Sequence, residues 1–401
     1  MAKGVYIGVD SKARKVKRIY VGVNGIAKIV KKAYIGVGGK ATLCFRRALQ
    51  YKGADKAYLT DLRFDLATTN LGNLALFGGG DWLDWDHNGV QGSVSDEVDA
   101  FNASLTKSTA KEKLRYGGGA LAAATAGNLA IFAGGKGFYT YSDYVDGYDI
   151  ELTRFNAEQN LSDEKAFLAA TAVGGWAIFA GGYDYDHYYK WSVEAYNASL
   201  SRLPLENLEK KRRCMAATTL GGYALFAGGF SSTTTAQKIV EAFNTSLTRS
   251  TLNDTLSIAR GGLAATTLGN LALFGGGGTN TNYGSYPESI GTTYTRVDVC
   301  NTSLTISALT VGLSVARACL AATTLGDYAI FAGGITPGSY TDTKHAEVDV
   351  FDSSLTRTTP AVLKEKRYQL AAATVGDCAL FGGGKLNLRY GTKVIDVFEL
   401  Y

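Results

Sequence analysis

Apolar and polar positions along this chain recur in one order. An Ala/Thr-rich half, a glycine-led pair, an aliphatic half ending in Phe and a glycine doublet follow one another in Leu66-Ala-Thr-Thr-Asn-Leu-Gly-Asn-Leu-Ala-Leu-Phe-Gly-Gly-Gly80, and the order returns at 121–135, 168–182, 215–229, 263–277, 320–334 and 370–384. The turn glycines Gly72, Gly127, Gly174, Gly221, Gly269, Gly326 and Gly376 stand 47 to 57 residues apart. A Gly-Asn, Gly-Asp or Gly-Gly pair is the chemistry of a tight turn with φ > 0, so each stretch reads as two antiparallel strands, A and B. After a loop of variable length comes an alternating strand C with one aromatic face, as in Val98-Asp-Ala-Phe101-Asn102, Val193-Glu-Ala-Tyr196-Asn197 and Val240-Glu-Ala-Phe243-Asn244. An Asn-x-Ser-Leu-Thr turn and a short strand D complete the unit.

Seven such units at a period near 50 predict an all-β fold, a seven-bladed β-propeller of four-stranded blades. Small Ala and Gly suit the crowded innermost strands, while Phe and Tyr fill the space between sheets. The last unit stops at its strand C, Val394-Ile-Asp-Val-Phe398-Glu-Leu-Tyr401, so it lacks strand D. Arg46 to Gly53 precede the first strand A at the spacing other units use for strand D. This N-terminal flank is expected to supply the missing strand, which would close the ring and leave no open seam.

Residues 46–401 resemble the Kelch-type β-propeller family. The resemblance rests on the repeated glycine doublet and on a basic residue three positions before strand A: Arg63, Lys165, Arg212, Arg260, Arg317 and Arg367. It implies a propeller scaffold. The Tyr and Trp that Kelch units commonly carry after the doublet are mostly replaced here by the Phe/Tyr-Asn of strand C.

Residues 1–45 follow a different period. Tyr6-Ile-Gly-Val9, Tyr20-Val-Gly-Val23 and Tyr34-Ile-Gly-Val37 recur every 14 residues, each before a two-residue turn, which predicts a small antiparallel β-meander. Charge separates the two regions: residues 1–50 hold 12 of the 41 Lys and Arg but one of the 36 Asp and Glu. A strongly basic arm therefore precedes a mildly acidic body. Lys12, Arg14, Lys15, Lys17, Arg18, Lys28, Lys31 and Lys32 could meet phosphates, but a solvated strand face that keeps edges from pairing is the preferred reading, and nucleic acid is not the expected partner. With Tyr6, Tyr20 and Tyr34 they form the expected assembly arm. Its pattern resembles short N-terminal modules of tail-associated proteins of phages and prophages, which implies docking to other virion proteins or to a second copy of the chain.

Function is expected in the B–C loops, which differ from unit to unit. Three consecutive ones combine aromatics with acids. Trp82, Asp84, Trp85 and Asp86 lie in the first, Tyr139, Tyr141 and Tyr144 in the second, and Tyr183, Tyr185, His187, Tyr188, Tyr189 and Trp191 in the third. Tyr and Trp supply rigid amphipathic contact area, so these residues are the candidate ligand surface. Asp84-x-Asp86-x-Asn88-Gly89 begins like a calcium loop, yet Ser95 stands where the bidentate Glu belongs, and no metal is assigned.

Other chemistry has few residues to work with. Three histidines and five scattered cysteines form no metal-ligand spacing, and Cys44, Cys214, Cys300, Cys319 and Cys378 read as free thiols, the last four as small buried hydrophobes. Kelch-like copper oxidases gather Tyr, Cys and His at the axis, a pattern not matched here, and the Ser-x-Asp-x-Gly-x-Thr-Trp boxes of sialidase-type propellers are absent. The Asn-x-Ser triplets at Asn102, Asn197, Asn244 and Asn301 all fall in the C–D turn, where Asn is expected to bond its own turn backbone. No apolar run approaches the roughly 20 residues of a membrane span, and no export signal is seen.

The expectation is a non-enzymatic virion protein without cofactor: the propeller head binds a host-surface glycan or protein, and the arm docks to the particle. Two alternatives stay open, a cytoplasmic Kelch-like adaptor and a loop-borne glycan-cleaving enzyme using carboxylates such as Asp86 and Asp184.

Overall fold

A computed structural model describes residues 47–401 apart from 87–88, 138–139, 281–289, 339–341 and 388–389, with backbone alone at 83–86, 89–93 and 280. Ahead of these it describes the backbone of 6–9, 12–15, 19–23, 26–30, 32–37 and 40–46.

The body is all-β: seven four-stranded antiparallel sheets, each ordered A-B-C-D, form the blades of a propeller. Blade 1 runs Ala67–Leu71, Leu74–Gly78, Val98–Asn102 and Lys107–Thr109. Blades 2 to 6 repeat it, with their first strands at Ala122, Ala169, Ala216, Ala264 and Ala321. In blade 7, Ala371–Val375, Cys378–Gly382 and Thr392–Leu400 are joined by Leu49–Arg63 as strand D. Leu400 faces Leu49, Phe398 faces Tyr51 and Thr392 faces Arg63, and Ala48 and Tyr401 exchange two backbone bonds of 2.9 Å. The ring closes as expected, through a longer strand than Arg46–Gly53 and with three shifts of register.

Each strand plays the part its composition suits. Strand-A threonines meet around the central channel, as Thr69–Thr125, Thr171–Thr219, Thr218–Thr267, Thr266–Thr324 and Thr323–Thr374 at 2.7–2.9 Å. Between blades, the Phe of strand B packs edge-on against the aromatic of strand C at about 6 Å in six blades, from Phe77–Phe101 to Phe381–Phe398. In blade 5, Cys300 occupies the aromatic slot, fully buried in the cluster that holds Phe274.

The glycine doublet is where neighbouring blades meet most closely. Its second N–H donates to the carbonyl of the residue three before the leucine or methionine that leads into the next strand A, as in Gly135→Lys165, Gly182→Arg212 and, across the closure, Gly384→Arg63 at 2.7–2.9 Å. A Cβ on the first glycine would stand 2.4–2.7 Å from that carbonyl in every blade, so only glycine fits.

The antiparallel A-B-C-D order fixes the faces. A–B and C–D turns share one face; B–C loops and D–A connections share the other. In the C–D turns Asn102, Asn197, Asn244 and Asn301 accept two N–H bonds each from their own turn, as expected, and Asp149 and Asp352 do the same. Arg47 donates to Asp377 at 2.6 Å, in the A–B turn of blade 7. The chain therefore enters the propeller on the A–B-turn face, opposite the B–C loops.

In the arm, three hairpins close at Val9–Lys12, Val23–Ile26 and Val37–Lys40, each its own two-stranded sheet. The expected continuous meander is thus three separate hairpins among the described residues. Each 14-residue repeat carries its own turn, and pairing across a two-residue loop has the least closure entropy to overcome. The turn residues themselves lie outside the described residues.

Candidate functional site

The B–C loops stand on a frame that buries charge. In six blades the basic residue before strand A meets the acidic residue that follows a Val or Ile in strand C: Arg63–Asp99 (2.5 Å), Lys165–Glu194 (2.8 Å), Arg212–Glu241, Arg260–Asp298 (2.7 Å), Arg317–Asp349 (2.8 Å) and Arg367–Asp396 (2.7 Å), all essentially without solvent exposure. In blade 2, Gly118 holds the basic position and Arg115 reaches Asp146 instead, at 2.5 Å. Burial pushes the pKa of Lys165 and of the five arginines down, and the facing carboxylate opposes it. Each carboxylate also accepts a backbone N–H from the segment ahead of a strand A, from Thr60 at the end of the closing strand or from Arg115, Ser162, Glu209, Ser257, Ser314 or Lys364 in a D–A connection. These pairs anchor the D–A segments and hold the loop face in place.

Blades 2 and 3 bring part of the candidate surface together. Tyr141 and Tyr185, from different loops, stack edge-on at 6.4 Å. Tyr185, Tyr188 and Trp191 are 55, 65 and 46% exposed, and Tyr144, on the blade 2 loop, is exposed as well. Arg115 lies over Tyr144 at 4.6 Å and Lys211 over Trp191 at 5.2 Å. Tyr183 is different: it is buried, shares a 3.0 Å hydrogen bond with His187 Nδ1 and packs on Tyr189 at 5.0 Å. Tyr183, His187 and Tyr189 thus support the ledge that Tyr141, Tyr185, Tyr188 and Trp191 present. Asp184 caps the loop by accepting from Tyr188 N–H (2.7 Å) and pairs with Lys190 (2.8 Å).

In blade 1, Asp81–Asp86 and Gly89–Val94 pair as antiparallel strands in regular register, with Asp86 facing Gly89. Asp84 and Asp86 lie on an extended strand, which is not the geometry of a loop wrapping calcium. Trp82 is half-buried. The side chains of Asp84, Trp85 and Asp86 are not among those described, and His87, Asn88 and Tyr139 lie outside the described residues. The same holds for Lys17, Arg18 and Lys31, while Tyr6, Lys12, Arg14, Lys15, Tyr20, Lys28, Lys32 and Tyr34 fall on hairpin strands. No group of three or more His, Cys, Asp or Glu side chains gathers as a metal site among the described residues.

Near the axis the structure adds residues that sequence patterning passes over. Asp65, Ala120, Phe167, Cys214, Gly262, Cys319 and Gln369 all have φ between 53° and 64°, and each N–H donates to the carbonyl of the one before it, a closed ring of seven bonds of 2.7–3.0 Å. The ring borders an axial cavity of about 180 Å³. Cys300, Cys319 and Cys378 are buried as expected and Cys214 is half-buried, and Cys214 and Cys319 are in addition ring members beside the cavity. Lys136, Arg213 and Phe167 converge here: Lys136 Nζ lies 5.8 Å and the Arg213 guanidinium 5.7 Å from the centre of the Phe167 ring. Burial disfavours the Lys136 ammonium, but Asp81 (2.8 Å) and Asp65 outweigh it and raise its pKa. The position after the glycine doublet, occupied by Asp81, Lys136, Tyr183 and Lys385, was the available sign of this site.

No protein-family model matches the chain, and no curated protein is significantly similar to it in sequence. Among solved structures, that of YjhT is similar, with a TM-score of 0.55 at 12% identity over 75% of this chain and 98% of YjhT. At that identity the likeness concerns the fold: the chain carries a seven-bladed β-propeller.

Proposed function

We propose that this chain is a non-enzymatic recognition protein of a phage or prophage particle, whose B–C loops on blades 1 to 3 bind a saccharide or protein of the host surface. The observation that carries it is the aromatic ledge: Tyr141, Tyr185, Tyr188 and Trp191 from adjacent blades, joined by the 6.4 Å Tyr141–Tyr185 contact. Exposed, rigid aromatic area of this kind makes affinity at little entropic expense. The entry of the chain on the opposite face supports the layout, since an arm docked there leaves the ledge pointing outward. The Kelch-like pattern of doublet and basic residue fits a scaffold whose loops, rather than its frame, carry specificity.

Two measurements test this. Peptide mass spectrometry of purified particles from the source culture is expected to find the chain at a defined stoichiometry; its absence there with abundance in cell extract would refute the virion reading. Alanine at Tyr185, Tyr188 and Trp191 is expected to abolish adsorption to host cells while the melting temperature stays unchanged. Undiminished adsorption would refute the ledge.

A further inference from the structure

An ion pair recurs between neighbouring blades on the side of the C–D turns, and the junction of blades 2 and 3 lacks it. The arginine that opens strand D lies beside the connection leaving the preceding blade: Arg154 stands 3.6 Å from Glu112, and Arg249 bonds Glu206. Glu112, Gln159 and Glu206 each stand two residues before the leucine of their connection, Leu114, Leu161 and Leu208. The carbonyls of Glu112 and Gln159 both accept the hydroxyl of a strand-C tyrosine, from Tyr148 at 3.0 Å and from Tyr196 at 3.1 Å. Gln159 is therefore the counterpart of the two glutamates, and it offers Arg202 no charge.

The strand-C acid does not stand in for it. Glu241 bonds both Arg212 and Arg249, whereas its counterpart Glu194 is held by Lys165 at 2.8 Å and by the Ser162 N–H at 3.0 Å. Arg202, half-buried, donates from Nη1 to the Asn160 carbonyl at 2.8 Å and forms no ion pair among the described residues.

The missing pair coincides with open space. A cavity of about 430 Å³, in the size range of small-molecule sites, is lined by Arg202, Gln159, Glu158, Phe155 and the C–D turn of blade 3. That turn puts the cavity on the side away from the B–C loops and the aromatic ledge. Glu158 is exposed and likewise forms no ion pair among the described residues, and Phe155 is 45% exposed. One cleft thus holds an uncompensated cation, an uncompensated anion and an aromatic ring.

We infer that this cleft binds a small zwitterion, whose phosphate or carboxylate pairs with Arg202 and whose ammonium pairs with Glu158 and the ring of Phe155. Each end makes charge-assisted bonds, and the ring adds cation–π attraction to the ammonium. A ligand carrying only one of the two charges leaves the other side chain uncompensated and binds less well. The site stands independently of the reading of the ledge.

The test is calorimetric titration of the full chain with O-phosphoethanolamine, β-alanine, ethyl phosphate and ethanolamine. One or both zwitterions are expected to bind at least about tenfold tighter than ethyl phosphate and ethanolamine, and the one that binds identifies phosphate or carboxylate as the anion. Arg202→Gln is expected to weaken that binding about tenfold or more. Gln159→Glu is expected to weaken it as well, by giving Arg202 the partner that Arg154 and Arg249 have, while the melting temperature holds or rises. Because that variant restores the pattern of the neighbouring blades, it decides the question should Arg202→Gln fail to fold. Equal affinity for ethyl phosphate and O-phosphoethanolamine overturns the inference, as does failure of both zwitterions to bind. Binding unchanged by Gln159→Glu overturns the assignment to this cleft.

Discussion

Arg317 and Asp349 meet at 2.8 Å with neither side chain exposed to solvent, and Asp349 also accepts the backbone N–H of Ser314 at 3.0 Å. Removing Arg317 leaves the buried Asp349 carboxylate with only the longer ion-pair contact to Arg357 at 3.7 Å. Arg317→Met is expected to cost about 3–5 kcal/mol. The double variant Arg317→Met/Asp349→Leu is expected to recover a large part of that loss, because a well-packed apolar pair no longer requires desolvated charge. Denaturant midpoints of the two variants check this; equal loss in both would contradict it.

Glycine at the doublet is required by a contact as well as by φ. Gly181 has φ +66° and a Cβ there would lie 2.4 Å from the Arg212 carbonyl, whereas Gly175 has φ +84° with nothing within 4 Å. Gly175→Ala is expected to cost only the left-handed backbone penalty, about 1–2 kcal/mol. Gly181→Ala must also push two blades apart and is expected to cost clearly more. Thermal unfolding of the pair separates the two effects.

The ring depends on its first described propeller strand. Removal of residues 1–46 leaves the pairing of Leu49–Arg63 with Thr392–Leu400 in place and is expected to shift the melting temperature little. Removal of residues 1–63 exposes a long strand edge in blade 7 and deletes Arg63, and is expected to give an aggregating or non-cooperative protein. Calorimetry and light scattering on both truncations provide the check.

His345 links the fold to pH. Its ring bonds Thr336 at 2.8 Å and Glu347 at 3.2 Å, and burial lowers its pKa below 6.5, more than Glu347 raises it. The unfolded chain therefore takes up this proton more readily than the folded one, and stability falls as pH drops below 6.5. His345→Gln is expected to melt with a shallower pH dependence between pH 6.5 and 5 than the unmodified protein. Parallel curves would show that other groups dominate that range.

The period of 47 to 57 residues was enough to predict seven blades, the turn glycines and the closing strand, because each blade is a local unit whose strands are consecutive in sequence. The recurring basic residue was visible too, but its partner was not. Arg63 and Asp99 are 36 residues apart, and only sheet register and blade packing bring them to 2.5 Å. Blade 2 makes the point sharply: Gly118 breaks the pattern in sequence, yet Arg115 restores the charge at Asp146 from three residues upstream.

Hydrophobic alternation, turn chemistry and repetition act over short stretches, so the amino-acid sequence by itself determined the strands, their order within a blade, the Asn-bonded C–D turns and the aromatic character of the loops. Which of those loop side chains face solvent was decided by tertiary packing, which buries Tyr183, half-buries Tyr189 against Arg213 and leaves Tyr185, Tyr188 and Trp191 exposed. The axial ring of left-handed residues, the cavity it borders and the approach of Lys136 and Arg213 to the Phe167 ring likewise exist only once seven blades close around one axis. Contacts between residues that far apart in the chain are made by the ring as a whole, and no local pattern encodes them.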